Sequence, residues 1–582
     1  MQNDTIIEST ERFQARLHRL EGSSYTSLKA LRHVRFYTGK ESNGVCTIHH
    51  VQADPFAPPS HMSVRVQLPF LSTVVYSNDP AEIRNVACCD YLLRKAVNVS
   101  KNIQSMNLQI PSQHVLQRSA IELDTNHGLI LRGTVSLPAF GRGIDSRGCY
   151  RALVESTQQI VHAFLQVDPK KLEAYISNVV DQDELRASLE SHNLCAFIAN
   201  GAVLPRACGD SDLPMDVTTG SLVKFLSPET LKYRIKLPSG REVEGMGIRK
   251  GITIITGGGF HGKSTLLRAL EVGVFNHTVG DGREFVVTDE TAVKIRAEDK
   301  RVATSVDIGY FIHTLPGGSG ASPRNAHFTT TNASGSTSQA CNSVEAIEAG
   351  SKCLLIDEDT SATNLLVRDE LVTKLVETEP IIPYVARARE MFTQHGISTL
   401  LVVGSNGQFL RVADSVIGMI NYHVHDLTMK SAELCQSFPS LSPLPTLPDA
   451  AGRSALSIWE NCRTVDVTKT FSFFEHGRRN RIRANADRID MVDESINMEL
   501  VEQLVEKGQS NYIAEALCYI ASQFGAQRLS VARIAHIILH IRNASPANPF
   551  SSFAPGFSSR ARPYEVIAAL NRLKSLTIRR GK

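Results

Sequence analysis

Apolar positions recur every three to four residues over 10–21, where Phe13, Leu17 and Leu20 share one stripe with charges between them. That period predicts a helix. Over 34–73 the period shortens to two: Val64, Val66 and Leu68 alternate with polar positions, as half-buried strands require. A Pro-rich loop from Pro55 to Ser60 interrupts this run. Residues 133–138 read as another strand and 147–165 as an amphipathic helix. Asp168-Pro169 breaks the pattern, so residues 1–168 are expected to form an N-terminal α+β domain.

The middle of the chain is patterned differently. Short strands over 222–247 are split by Pro-Ser-Gly at 238–240. Three short apolar runs then read as strands: 252–255, 353–356 and 399–403. A helical run ends at Ala349, with Gly350 placed as its C-cap. Residues 313–337 are rich in Gly, Ser, Thr and Pro and read as a loop, and 438–453 as a linker. A core over 169–450 is therefore expected, followed by a mainly helical C-terminal domain over 455–582. Its helices are expected near 497–505, 512–524, 531–542 and 563–573. No internal repeat is present.

Composition narrows the class. The 582 residues allow about two to four domains. A hydrophobic fraction of 42% with 21% charged residues describes a folded chain. No apolar stretch approaches the roughly 18–20 residues of a membrane span, so no integral membrane segment is expected. The eleven cysteines are scattered without a C-x-x-C pair, which implies reduced thiols in an intracellular, soluble protein and no zinc site. The first residues, Met1 to Glu8, read neither as a signal peptide nor as an Arg-rich transit peptide.

Chemistry concentrates after the first short apolar run. Gly257-Gly258-Gly259-Phe260-His261-Gly262-Lys263-Ser264-Thr265 fits the phosphate-loop pattern G-x-x-x-x-G-K-[ST], with a strand before it and helix formers after. The glycines let backbone N–H groups surround phosphate oxygens, and the following helix adds its positive end. Lys263 is expected on the β- and γ-phosphates and Ser264 on Mg²⁺. The run Cys353 to Ile356 ends in Asp357-Glu358. Asp357 suits Mg²⁺ through water. Glu358 suits polarising the attacking water and is the candidate catalytic carboxylate, with Lys263.

Between these elements lies Asn332-Ala333-Ser334-Gly335-Ser336-Thr337-Ser338-Gln339. It resembles the ABC-ATPase signature Leu-Ser-Gly-Gly-Gln in variant form, and Ser361-Ala362-Thr363-Asn364 resembles the D-loop of that class. Longer strings resemble the soluble family of predicted ATPases of the ABC class. They are Asp54-Pro55-Phe56-Ala57-Pro58-Pro59-Ser60, Gly141-Arg142-Gly143-Ile144-Asp145, Ala199-Asn200-Gly201 to Leu204-Pro205-Arg206, and Gly280-Asp281-Gly282-Arg283 to Asp289. The resemblance runs from about residue 10 to about residue 520.

The resemblance implies an α/β fold with an ABC-type P-loop ATPase core, and ATP and Mg²⁺ as cofactors. It implies a head-to-tail homodimer, with nucleotide between the phosphate loop of one subunit and Ser334, Gly335, Ser336 and Gln339 of the other. Tyr233 lies about where the class stacks adenine. One kinetoplastid member is associated with mitochondrial RNA editing, which implies RNA, an RNA-processing complex and the mitochondrial matrix; the cytoplasm is the alternative. The chain departs from the class where a His is usual after the third short apolar run. Ser405 stands there instead, without a charge. The usual Gln is not evident either, and Asp307 is the candidate substitute. Slow hydrolysis is therefore expected. The competing readings are a switch or scaffold with negligible turnover, or a cassette serving a separate membrane partner.

The net charge is only +3, yet Arg478, Arg479, Arg481, Arg483 and Arg488 face a single acid, Asp487, over 477–488. Phe471, Phe473 and Phe474 precede them. Arginines on phosphates and rings on unpaired bases would suit single-stranded RNA. A solvated basic face is the alternative.

Overall fold

A computed structural model describes residues 7–39, 43–74, 82–124, 128–216, 222–313, 324–369, 372, 375–376, 379–438, 462–472, 482–544 and 556–579. These form two compact units. One comprises Met1–Val180 with Glu506–Tyr512 and Ile541–Arg560; the other comprises Asp181–Val505, Ile513–His540 and Ala561–Lys582.

The first unit is built on a seven-stranded sheet. Its order is Ile7–Glu8, Arg35–Tyr37, Gly44–His50, Ser60–Gln67, Gly128–Val135 and Met106–Asn107, and Ile121–Asp124 also pairs with Gly128–Val135. The alternation at Val64, Val66 and Leu68 places all three in the core. The first helix, Thr10–His18, buries Phe13 and Leu17, and Phe13 stacks on Phe36 with centroids 3.8 Å apart. Arg118 is buried between Asp90 (2.5 Å) and Glu506 (2.9 Å), while Asp90 also accepts from Arg94 Nε at 2.6 Å. Removing one member of such a buried set costs ~3–5 kcal/mol, because the remaining charge is left without a partner or water. The network therefore pins the Glu506 segment to the first 180 residues within this unit.

The second unit holds two sheets. A small antiparallel sheet uses β1 (Leu194–Ala199), β2 (Lys232–Lys236), β3 (Glu242–Arg249) and β5 (Val286–Thr288), in the order β2-β3-β1-β5. The main sheet uses β4 (Ile252–Gly257), β6 (Val293–Ile295), β7 (Cys353–Asp357), β8 (Ser398–Val402), β9 (Ser415–Ile420) and β10 (His423–Asp426). Its order is β6-β7-β8-β4-β9-β10; all neighbours are parallel except β9 and β10. The three short apolar runs are β4, β7 and β8, and β7 and β8 are buried at every position. Helices α1 (Lys263–Val272), α2 (Gly335–Glu348) and α3 (Tyr384–His395) connect them.

The last third mixes helices with small sheets. Lys507–Phe524, Val531–Ala544 and α4 (Pro563–Asn571) are helical. Thr464–Asp466 pairs with both Arg528–Ser530 and Ile578–Arg579, and 483–497 folds into a three-stranded meander. The helix expected at 497–505 does not form. Asn497 Oδ1 accepts from Glu499 N at 2.9 Å, which is an Asx turn. Buried Gln503 then accepts from Lys294 N (3.0 Å) and donates to Glu271 O (3.0 Å) and Ala292 O (3.2 Å). These tertiary bonds replace the helical ladder that local propensity favoured.

Buried arginines hold α2 and the Glu298 segment beside it. This helix ends in buried Glu345 and Glu348, where the negative end of the helix disfavours acids. Arg463 compensates Glu348 at 2.7 Å, Arg301 pairs with Glu345, and Arg572 pairs with Glu298 at 2.7 Å. Helix α4 packs against α2.

Candidate functional site

The phosphate loop leaves the C-terminal edge of the main sheet. At its start Gly257 has φ +143°, and a Cβ there would lie 2.1 Å from Met419 O, so only glycine fits. Gly262, with φ +93°, caps α1. These left-handed glycines let the loop curl back toward the start of α1. Lys263 Nζ reaches back across the mouth to Gly257 O (2.9 Å) and Gly258 O (2.8 Å). His261 Nδ1 lies 3.2 Å from Met419 O, tying the loop to β9. Phe260 stands at the loop's tip, exposed, with φ +60°. Thr265 lies in the first turn of α1.

The acidic half arrives through strand order. Asp357 ends β7 and pairs in register with Val402 of β8, the neighbour of β4. Ser264 and Asp357 line one cavity of ≈ 530 Å³, together with Lys294, Arg268 and Glu502. A hydroxyl and a carboxylate are hard oxygen donors of the kind Mg²⁺ takes. Among the described residues no group of three or more His, Cys, Asp or Glu could hold a metal ion. Burial pushes the Glu271 carboxyl in the same cavity up to about 7, with Arg268 pulling the other way.

Glu358 and Ser405 meet directly. Glu358 Oε2 accepts from Gly404 N (2.6 Å) and Ser405 N (3.1 Å), and Oε1 accepts from Ser405 Oγ (2.7 Å). Ser405 thus orients the carboxylate through a neutral donor.

The signature residues form a second group. Ser334 caps α2, and its Oγ lies 3.1 Å from Thr337 Oγ1. Gly335 begins the helix, and Ser336 Oγ donates to Asn364 Oδ1 at 2.7 Å. Gln339 is buried; its amide donates to Ser361 Oγ (3.0 Å) and accepts from Ala362 N (2.7 Å). Gln339 therefore positions the 361–364 segment, whereas Ser334, Gly335 and Ser336 lie at the open start of the helix.

Two sequence candidates sit elsewhere. Tyr233 packs over Gly247 in the small sheet, and its hydroxyl accepts from Arg249 Nε at 3.0 Å. Asp307 accepts from Gly309 N at 3.0 Å in a local turn. The segment that does leave the strand beside β7 starts at Arg296. Ala297 N donates to Thr360 O (3.0 Å), and Glu298 N to Ser338 Oγ (2.9 Å), so it bridges the Asp-Glu strand and the signature helix. Three-residue β6, with Lys294 at its centre, offers no periodic signal to find it by. Of the proposed RNA contacts, Arg478, Arg479, Arg481, Phe473 and Phe474 lie outside the described residues. Arg483 is exposed, and Phe471 is buried and so unavailable for stacking.

A family model for the P-loop domain of ABC ATPases matches residues 168–444, one for the N-terminal part of ATPases of the ABC class matches 10–168, and one for the MRB1590 C-terminal domain matches 481–579. The chain belongs to the ABC-class ATPase family. An uncharacterised protein of Methanocaldococcus jannaschii is 35% identical over 237 residues, which is 39% of this chain and 50% of that protein. The match thus spans half the length of that curated relative. An ATP-binding cassette of an ABC transporter, solved in its ADP conformation, is 14% identical with TM-score 0.23, covering 36% of this chain and 94% of that one. No helix among the described residues is long and apolar enough to cross a membrane.

Proposed function

We propose that this chain binds ATP with Mg²⁺ at the phosphate loop and hydrolyses it slowly, the signature helix of a second copy completing the site. The observation that carries this reading is the meeting of the phosphate loop, Asp357 and the Glu358–Ser405 pair at the C-terminal edges of adjacent strands. Loop amides and the start of α1 receive the phosphates. Lys263 places its charge on the β- and γ-phosphates. When bound, Mg²⁺ would neutralise charge on those oxygens, held by Ser264 and, through water, by Asp357. Glu358 orients a water for attack on the γ-phosphorus. The new O–P bond forms as the bond to the β-phosphate oxygen breaks, and the water's proton passes toward the carboxylate. Ser405 steadies Glu358 but brings no cation to the transition state, which supports slow turnover. Measured turnover of the pure protein separates this from a switch that binds without hydrolysis.

The second copy is supported by Ser334, Gly335 and Ser336 at the open start of α2, where hydroxyls and free amides can meet a γ-phosphate. Ser336→Arg should block closure and remove ATPase activity, as should Lys263→Ala. Mixed together, the two proteins should regain about one working site per heterodimer. No recovery from two folded mutants would argue against head-to-tail pairing.

RNA is the proposed target, in an RNA-processing complex. The reading is supported by the arginine run and by the family model that matches 481–579. Replacing Arg478, Arg479, Arg481 and Arg483 by Gln should weaken binding to a labelled single strand. The log–log salt slope should flatten by roughly 0.7 for each phosphate that is no longer neutralised. ATP affinity should stay unchanged. Equal affinity and slope in fluorescence anisotropy would reduce the run to a solvated face.

A further inference from the structure

The strand order fixes more than the phosphate end. Asp357 and Glu358 follow β7, and Ser405 follows β8; both strands lie on one side of β4. On the other side of β4 lies β9, joined to β10 by a tight turn at Asn421 and Tyr422. A triphosphate whose γ end faces Glu358 must therefore lead its ribose and base away across β4, toward that turn.

The turn is unusual. Asn421 and Tyr422 both have left-handed backbones, φ +49° and +68°. Two such residues make the hairpin turn that normally takes Asn-Gly. A bulky ring at the second position carries a steric penalty that glycine would avoid, and strain of this kind gathers at ligand-binding sites. The ring is 56% exposed, yet it reaches the phosphate loop: Tyr422 Cδ1 lies 3.3 Å from the position a Cβ on Gly262 would take. Met419 Cε, from β9, lies beside it at 3.4 Å from the same point. A half-exposed aromatic ring thus lies directly beside the loop that caps α1. Tyr233 lies in the small sheet, its ring over Gly247 and its hydroxyl bonded to Arg249.

We propose that Tyr422 is the ring on which the nucleobase stacks. The assignment rests on the phosphate loop holding the triphosphate. Stacking uses the π-face that every base has, so it favours large purines without choosing between adenine and guanine by hydrogen bonds. It contributes to ATP and ADP alike and nothing to a ligand without a base.

Calorimetry on the full chain tests this with Mg²⁺ and three ligands: ATP, ADP and inorganic tripolyphosphate. Tyr422→Ala should bind ATP and ADP roughly tenfold more weakly and tripolyphosphate as tightly as wild type. Tyr422→Phe should keep all three affinities, since it keeps the ring. Unchanged ATP affinity in Tyr422→Ala overturns the assignment. So does an equal loss for tripolyphosphate, which would make the ring a support for the loop. Wild-type protein that binds neither ATP nor tripolyphosphate would overturn the phosphate-loop reading itself, and this assignment with it.

Discussion

Lys263→Ala protein should bind ATP on the order of a hundredfold more weakly than wild type while melting at the same temperature without nucleotide. In the structure the Lys263 ammonium bonds to two loop carbonyls, Gly257 O and Gly258 O. Removing it leaves both carbonyls near solvent, so the fold loses little. The nucleotide loses a full charge that no other side chain in the loop supplies. Titration calorimetry beside a thermal melt checks both halves. Unchanged affinity would remove the phosphate-loop assignment, and a large fall in melting temperature would make the lysine structural.

Glu358→Gln should keep ATP affinity and lower turnover by roughly a hundredfold or more. It should also trap an ATP-bound dimer visible by light scattering. The surroundings of Glu358 make this a clean substitution. If the amide oxygen keeps Gly404 N and Ser405 N, the amide nitrogen faces Ser405 Oγ. A serine hydroxyl can accept as well as donate, and its own proton can turn to solvent at this exposed position. Only the charge that polarises water is lost. Wild-type turnover in the mutant, with no dimer, would show that Glu358 is not the catalytic carboxylate. A histidine at position 405 would instead have met the new amide with a fixed donor or acceptor; the neutral, rotatable serine does not.

Much of the site was legible in the chain because its parts are local. A phosphate loop is a single backbone curl, so Gly257, Gly262, Lys263 and Ser264 had to be contiguous. The three short apolar runs read as strands, and they are β4, β7 and β8. Asp357 and Glu358 end one of them, so their position at the sheet edge followed from that reading.

Other features depended on which strands became neighbours. Nothing in the order of residues says that Ser405 hydrogen-bonds Glu358; that follows from β7 lying beside β8. Nothing local says that Gln339 is spent on the 361–364 segment, or that β6 rather than the Asp307 region borders β7. Local propensity pointed to a helix at 497–505, and a buried amide with three backbone partners overruled it. Tyr422 is the sharpest case. In sequence it is one tyrosine in an apolar–polar hairpin, far from the glycines. Only the crossover that lays β9 against β4 brings its strained, exposed ring beside Gly262. Motifs built from consecutive backbone amides can be read from the chain, whereas contacts made across a sheet exist only once the strand order is set.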